Sequence, residues 1–438
     1  MSELFDALHP TGHITAKNIR EAAERYATPL FLYDRQAILE RCAALLAMPE
    51  AYGLTVRYAM KANSLKALLS LITEARLAID ASSLHEVRRA HRAGIPYERI
   101  MLTSQEVQSA ENLDDLQAML TSGLRLNVCS LRQLHSIGSY AAKHKLDLGI
   151  RLHPGVGSGE TASRNTGDQY ACFGIHRDDL PEALAYAKEL GLAFSTVHTH
   201  IGSGADSTIW CANIDTELEI IAAHFPEATT VSFGGGFKEA RMPEEQAASI
   251  EELGAYAKER LEAFYRRTGR KLHMEIEPGT FVIANAGYIV TRLIDKKKNG
   301  AEGMNFLLLD GGMELNTRPL LYASQHPFYV VSREGDLLYS DHRPDSSAGF
   351  RAAIVGCCCE SGDSQTIDAA GQNIARPIIE PEIGDYVVIG GTGAYASSMS
   401  PSNYNSHLQA AEILCSPEGH LSLIRRRQTL HQLLANEL

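Results

Sequence analysis

Four residue types, each set at the end of its own apolar run, could together carry out imine chemistry on an amino acid. Lys61 follows Tyr58, Ala59 and Met60 in the segment YAMKAN. An amine partly desolvated at a strand end is held closer to its neutral form and becomes nucleophilic toward an aldehyde. A lone lysine is ordinarily a surface charge, so the other residues decide. In VSFGGGF, Gly234, Gly235 and Gly236 follow a β-branched run, where backbone without side chains can offer several N–H groups to a phosphate. Taken alone, such a triplet is equally a tight turn. Glu277 ends the run MEIE; a carboxylate buried there needs a cationic partner, and a protonated pyridine nitrogen is one. His198 and His200 stand two apart in HTHIGSG and could be a metal pair. No third ligand has matching spacing, so no metal centre is expected, and His200 suits a flat ring stacked on its imidazole. Lysine, phosphate cradle, pyridine-nitrogen acid and stacking ring together describe pyridoxal 5'-phosphate (PLP) held covalently through its aldehyde.

The elements that must position these groups are legible from about residue 55. Short β-branched or aliphatic runs recur, each followed by a stretch with helical periodicity: TVRYAMK (55–61), RLAIDAS (76–82), RIMLTS (99–104), LRLNVCS (124–130), LGIRLHP (148–154), FSTVHTHIGS (194–203), TVSFGGG (230–236) and LHMEIEPGT (272–280). Between them lie amphipathic segments such as residues 84–94 and 179–191. Eight such units predict a (β/α)8 barrel whose active site sits at the C-terminal edge of the strands. Those edges carry Lys61, Asp80, Thr103, Asn127, His153, His200, the glycines 234–236 and Glu277. After Gly287 the alternation stops, and runs such as GYIVTRLID, NFLLLDGG, AAIVGC, DYVVIGG and AEILC are separated by turn chemistry, the pattern of an antiparallel β domain. The expected organisation is residues 1–34 joining the β domain, 35–286 as the PLP-binding barrel and 287–438 as the C-terminal antiparallel β domain, an α/β plus β class.

Composition narrows the partners. Forty-one Lys and Arg against 53 Asp and Glu give a net charge of −12, which repels phosphate backbones and anionic bilayers, so neither nucleic acid nor membrane is expected. The longest apolar runs fall far short of the roughly 20 residues that span a bilayer. The N-terminus lacks the basic and apolar regions of a secretion signal, and a cytoplasmic protein is expected. Eight cysteines without CxxC pairs read as free, mostly buried thiols; only Cys357-Cys358-Cys359 is odd, since adjacent residues of an extended segment point to opposite faces. Residues 425–427, three arginines, read as a solvated face.

With these residues in place, the sequence resembles the alanine-racemase/ornithine-decarboxylase-like PLP enzymes, and most closely bacterial diaminopimelate decarboxylase. The similarity runs from TPLFLYD (28–34) to LIRRRQT (423–429), with YAMKAN, HTHIGSG, GGGF, EPG, CESGD, GAY and SNYNS in family order. The resemblance implies that Lys61 binds the cofactor aldehyde, His200 stacks on its ring and Glu277 partners its nitrogen. Ser203, Gly234, Gly235 and Gly236 would hold the phosphate, with Tyr395 adding a hydroxyl. Arg318 and Tyr322 would meet the substrate's distal carboxylate. Residues 359–363 would reach across a homodimer interface, with Cys359 as proton donor and Glu360 gripping the distal ammonium; Cys357 and Cys358 remain packing residues. The implied reaction is loss of CO2 from a small diamino acid.

The chain departs from the family in places around one pocket. Thr280 stands where EPGR has Arg, His153 where RxNPG has Asn, His85 where a small residue is usual, and His407-Leu408 where Arg-Pro follows SNYNS. An Arg lost near phosphate and carboxylate removes a charge-assisted contact of roughly 1.5–3 kcal/mol. Three substrates follow: a diaminopimelate-like or lysine-related diamino acid of specialised metabolism, as in toxin biosynthesis such as tabtoxin; meso-diaminopimelate itself on the way to L-lysine; or D-lysine or D-ornithine. A racemase would need a second base and has no use for CESGD. A non-catalytic PLP carrier would need no β domain, and a regulatory paralogue would not need Lys61 and Cys359.

Overall fold

The computed structural model describes residues 7–155, 157, 166–202, 204, 207–343 and 349–438. The chain forms two compact units: residues 41–238 with 246–281, and residues 1–40 with 239–245 and 282–438.

The first unit is the eight-stranded closed parallel barrel, with strands Leu54–Ala59, Ala78–Ala81, Ile100–Thr103, Arg125–Val128, Leu148–Arg151, Phe194–His198, Thr230–Ser232 and His273–Ile276. The first and eighth close on each other with Leu54 opposite Met274 and Val56 opposite Ile276. Barrel strands are covered on both faces, which is why they read as aliphatic runs rather than alternating ones. The helices read as amphipathic: in Leu84–Arg92, Leu84, Val87 and Ala90 are buried at helical spacing, and Ser83 caps the first turn by accepting from the Glu86 N–H. Inside the barrel Arg57, 3% exposed, makes two 2.8 Å bonds to Glu275, 1% exposed, and Arg125 adds a third at 3.0 Å. A buried carboxylate is tolerable there only because two guanidiniums face it.

The second unit is a ten-stranded sheet. Its main path runs Leu337–Ser340, Phe328–Val331, Tyr386–Ile389, Gly287–Lys298, Leu30–Asp34, Ala411–Cys415 and Leu421–Arg425, with Asn305–Leu309, Phe350–Val355 and Arg376–Ile378 branching from it. Alternate residues of five strands, Leu30 and Leu32, Tyr288 and Val290, Tyr329 and Val331, Tyr386 and Val388, and Ala411 and Ile413, share one apolar cluster. Helix Ala16–Tyr26 closes it with Ile19, Ala22 and Ala23, after a capping box between Thr15 and Asn18. The sheet is mostly antiparallel, but two pairings are parallel: Leu30–Asp34 with Ala411–Cys415, and Asn305–Leu309 with Phe350–Val355. In both cases the intervening chain is long, so no tight hairpin dictates direction. No described helix is long and apolar enough to cross a membrane.

Candidate active site

The C-terminal edge of the barrel carries the first group of predicted residues. Lys61 lies in the 3-10 turn Met60–Ala62 directly after the first strand, exposed between two buried neighbours. Asp80, 3% exposed, is the last but one residue of the second strand, and one of its carboxylate oxygens has no hydrogen-bond partner. Burial pushes its carboxyl well above the usual range, the Glu277 charge adds to this, and Lys61 opposes it. Asn127 donates to Thr103 at 3.0 Å, so these two strand ends hold each other.

Glu277 follows the eighth strand. Its N–H donates to the Gly234 carbonyl at 2.8 Å, which ties it to the glycine loop. His198 Nε2 lies 2.8 Å from its Oε2, and the Ser232 hydroxyl donates to Oε1 at 3.2 Å. Burial raises the Glu277 carboxyl, but His198 above all, then Arg151 and Lys61, outweigh it and leave the group below the ordinary glutamate range. This residue is therefore a charged acid in a dry setting.

His200 is half-buried, and the Gly235 N–H donates to its Nδ1 at 3.1 Å, so the proton sits on Nε2. Burial, aided by Lys61, Arg151 and His198, pushes its pKa well below 6.5 and keeps the ring neutral. The two histidines do not converge as a metal pair would: one is spent on Glu277 and the other on the glycine loop. Between them Thr199 donates to Glu217 at 2.7 Å and accepts from Asn213 at 2.8 Å, both on helix Ser207–His224. Gly234 and Gly236 have φ of +66° and +101°, and a Cβ there would lie 2.4 Å from the Thr199 carbonyl oxygen or 2.5 Å from that of Gly202. Glycine at both positions is thus required by conformation and by space. Ser203 lies outside the described residues.

Two barrel-edge residues differ from expectation. His153 turns to the loop beyond it, with Nε2 at 3.0 Å from the Asp168 carbonyl and 3.2 Å from that of Ala171, and Nδ1 accepting from the Gly155 N–H. Arg151, at the end of the fifth strand and 7% exposed, is the fifth-strand group whose charge reaches Glu277 and His200. Arg151 rather than His153 is thus the residue this strand brings to the site, and its place as the last residue of a barrel strand is the signal for it in the sequence. His85 is exposed beside Arg88. Thr280 opens the short helix Thr280–Ile283.

The β unit holds the rest. Arg318, 3% exposed, begins helix Arg318–Tyr322, its guanidinium 5.5 Å from the Tyr322 ring centre and 5.9 Å from that of Tyr395. Tyr395 has a φ of +56°, a left-handed conformation that a bulky residue adopts at a cost and that clusters at functional sites. Cys359 is exposed, and its N–H donates to Asn405 Oδ1 at 2.6 Å. Glu360 is exposed and accepts from the Tyr404 hydroxyl at 3.0 Å, which holds its carboxyl below the usual range. The Cys358 thiol donates to Glu314 at 3.2 Å, while Asp363 takes the Cys358 and Met313 N–H groups at 2.7 Å each, so these three ligand-type side chains are absorbed by the turn itself. Cys357 is half-buried, 4.0 Å from His407 Nε2.

At the barrel edge an amine, a charged buried acid, a neutral ring and a side-chain-free loop therefore lie together, and several buried polar atoms there have no protein partner: one oxygen each of Asp80 and Asn127, Arg151 Nε and His198 Nδ1. These groups fit a polar, aromatic, phosphorylated aldehyde.

Comparison with known proteins agrees. Residues 36–284 match the family model described as pyridoxal-dependent decarboxylase, pyridoxal binding domain. Diaminopimelate decarboxylase of Escherichia coli is 32% identical over 431 residues, covering 97% of each chain. A crystal structure of diaminopimelate decarboxylase superposes with a TM-score of 0.88 at 31% identity, over 98% of this chain and 97% of the other. The Helicobacter pylori diaminopimelate decarboxylase complexed with L-lysine gives 0.80 at 26% identity, over 95% and 98%.

Proposed function

Because this chain belongs to the diaminopimelate decarboxylase family of pyridoxal-dependent decarboxylases, we propose that it binds PLP through Lys61 and removes CO2 from a diaminopimelate-like diamino acid. The observation that carries this reading is the placement of Lys61 and the buried Glu277 at one end of the barrel, near enough for the lysine charge to act on the carboxyl. PLP, once bound, supplies a conjugated electron sink for the bonding pair that departing CO2 leaves behind.

Lys61, exposed in its turn, would hold the cofactor through its aldehyde. Glu277, kept ionised, holds a proton on the pyridine nitrogen and so keeps the sink deep. His200, neutral, offers an uncharged flat ring and adds no competing cation. The phosphate falls to Gly234 and Gly236, with Ser203 and the Tyr395 hydroxyl, since the Gly235 N–H is engaged with His200. Arg318 and Tyr322 take the distal carboxylate, and a guanidinium suits its two oxygens. Cys359 delivers the proton that replaces CO2, and Glu360 pairs with the distal ammonium. An exposed Cys359 and Glu360 fit a site completed by a second copy of the chain, so we read the protein as a homodimer.

Thr280 favours a modified diaminopimelate over the plain compound, because no guanidinium stands at that position. The deciding experiment reduces the PLP-loaded protein with borohydride, maps the label, and measures CO2 from meso-diaminopimelate, D-lysine, D-ornithine and their L-forms. Label on Lys61 is expected; label elsewhere, or none, overturns the cofactor assignment. Release from meso-diaminopimelate at the rate of the Escherichia coli enzyme assayed alongside overturns the altered substrate.

A further inference from the structure

His198 has no role in the reading above, yet its surroundings are built around a single contact. Strand register places His198 beside Ser232 and Ser232 beside Glu275, two residues before Glu277. His198 and Ser232 are both 0% exposed and Glu277 is 6% exposed. His198 Nε2 lies 2.8 Å from Glu277 Oε2, and the Ser232 hydroxyl lies 3.2 Å from Oε1. Among the described residues these are the only side chains hydrogen-bonded to Glu277. The other imidazole nitrogen, Nδ1, is buried with no partner. A buried imidazole with half of its hydrogen bonding unmet is a poor filler, since an apolar ring there would leave no ring nitrogen unsatisfied. What justifies the histidine is the one bond it makes.

We propose that His198, assisted by Ser232, is a positioning residue for Glu277: the two donors grip both carboxylate oxygens, fixing the plane of the carboxylate and keeping it the acceptor that a pyridinium proton requires. The inference rests on the reading that gives Glu277 this partner. The charged groups around Glu277 come from several strands: Lys61 after the first, Arg57 on the first, Asp80 on the second, Arg151 on the fifth, and the ring of His200 after the sixth. Burial works against ionisation of Glu277, and His198 is the first of the groups that outweigh it, ahead of Arg151 and Lys61.

The test uses cofactor-free protein labelled with carboxyl-13C glutamate, in which Glu277→Gln identifies the Glu277 resonance. His198→Leu should raise the Glu277 midpoint by about one pH unit or more, a tenfold change in its acid constant. His198→Gln, which keeps an N–H donor, should recover most of that shift, and Ser232→Ala should give a smaller rise. A midpoint in His198→Leu equal to that of the parent protein overturns the proposal. Should that variant not fold, 15N-histidine labelling of the parent protein decides. The His198 Nε2–H proton should exchange slowly and move on Glu277→Gln, and an unmoved signal is equally fatal. Failure of borohydride to fix PLP on Lys61 would leave these titrations untouched, and so would sink the functional reading alone.

Discussion

Arg57 and Glu275 join the first and eighth strands of the barrel through two 2.8 Å bonds, Nε to Oε2 and Nη2 to Oε1, in a setting where both side chains are almost wholly buried. The closing seam of the barrel therefore carries an ion pair as well as backbone bonds. Removing one partner strands a buried charge, so Arg57→Ala should destabilise the protein by about 3–5 kcal/mol in urea unfolding. Burial raises the Glu275 carboxyl, but Arg57 and Arg125 pull it lower still, below the ordinary glutamate value. The pair's contribution is complete above the unfolded value of about 4.3 and drains away as the pH falls through the lower folded value. Glu275→Gln should flatten that acid limb; a limb of unchanged slope would refute the assignment.

Gly234 tests the loop. A methyl group there would sit 2.4 Å from the Thr199 carbonyl oxygen and 2.9 Å from His200 Nδ1, at a φ of +66°. Gly234→Ala should cost about 1–3 kcal/mol and weaken PLP retention on gel filtration. Unfolding at the parent midpoint would show that the loop yields.

Cys359 separates chemistry from folding, because its side chain is exposed. Cys359→Ala should lower kcat by about 10²–10⁴-fold, as expected for loss of a proton donor. Its melting temperature should match that of the parent. A kcat within threefold or so of the parent would remove it from the proton-transfer step.

His200 and His326 share an acid signature. Burial pushes both pKa values well below 6.5, and His326 Nδ1 is spent on the Gly390 carbonyl at 2.9 Å. Each takes up a proton on unfolding before it does when folded, so stability is full above about pH 6.5 and declines as the pH falls toward the depressed folded values. Melting temperature against pH should drop across that window, and less steeply in His326→Gln. Identical slopes in the two proteins would exclude His326.

The barrel was legible because each strand, covered on both faces, wrote an unbroken aliphatic run that ended in a polar residue. Lys61, Gly234 and Glu277 could be placed on that basis, since the site of such a barrel gathers at those ends. His198 could not. Period-two logic puts residues 198 and 200 on one face, but the strand ends at His198, and beyond it the backbone turns, so the two rings find different partners. Arg151 was passed over for a related reason: His153 was the more chemical residue type, but it lies two positions past the strand and serves the loop. In the β unit, Phe328–Val331, Leu337–Ser340, Arg376–Ile378 and Leu421–Arg425 went unnoticed as strands; they are three to five residues long, too short for alternation to stand out. The parallel pairings were equally invisible, because direction across a long connection leaves no local mark.

One of those pairings joins segments made far apart in time. The segment Leu30–Asp34, translated before the barrel, takes as its lateral neighbour Ala411–Cys415, translated after it. Until that later segment emerges this strand has an open flank, with hydrogen-bonding groups that a stranger could claim. The barrel's eight strands are all synthesised within that interval. The nascent chain thus completes its catalytic scaffold while its first strand waits for a mate.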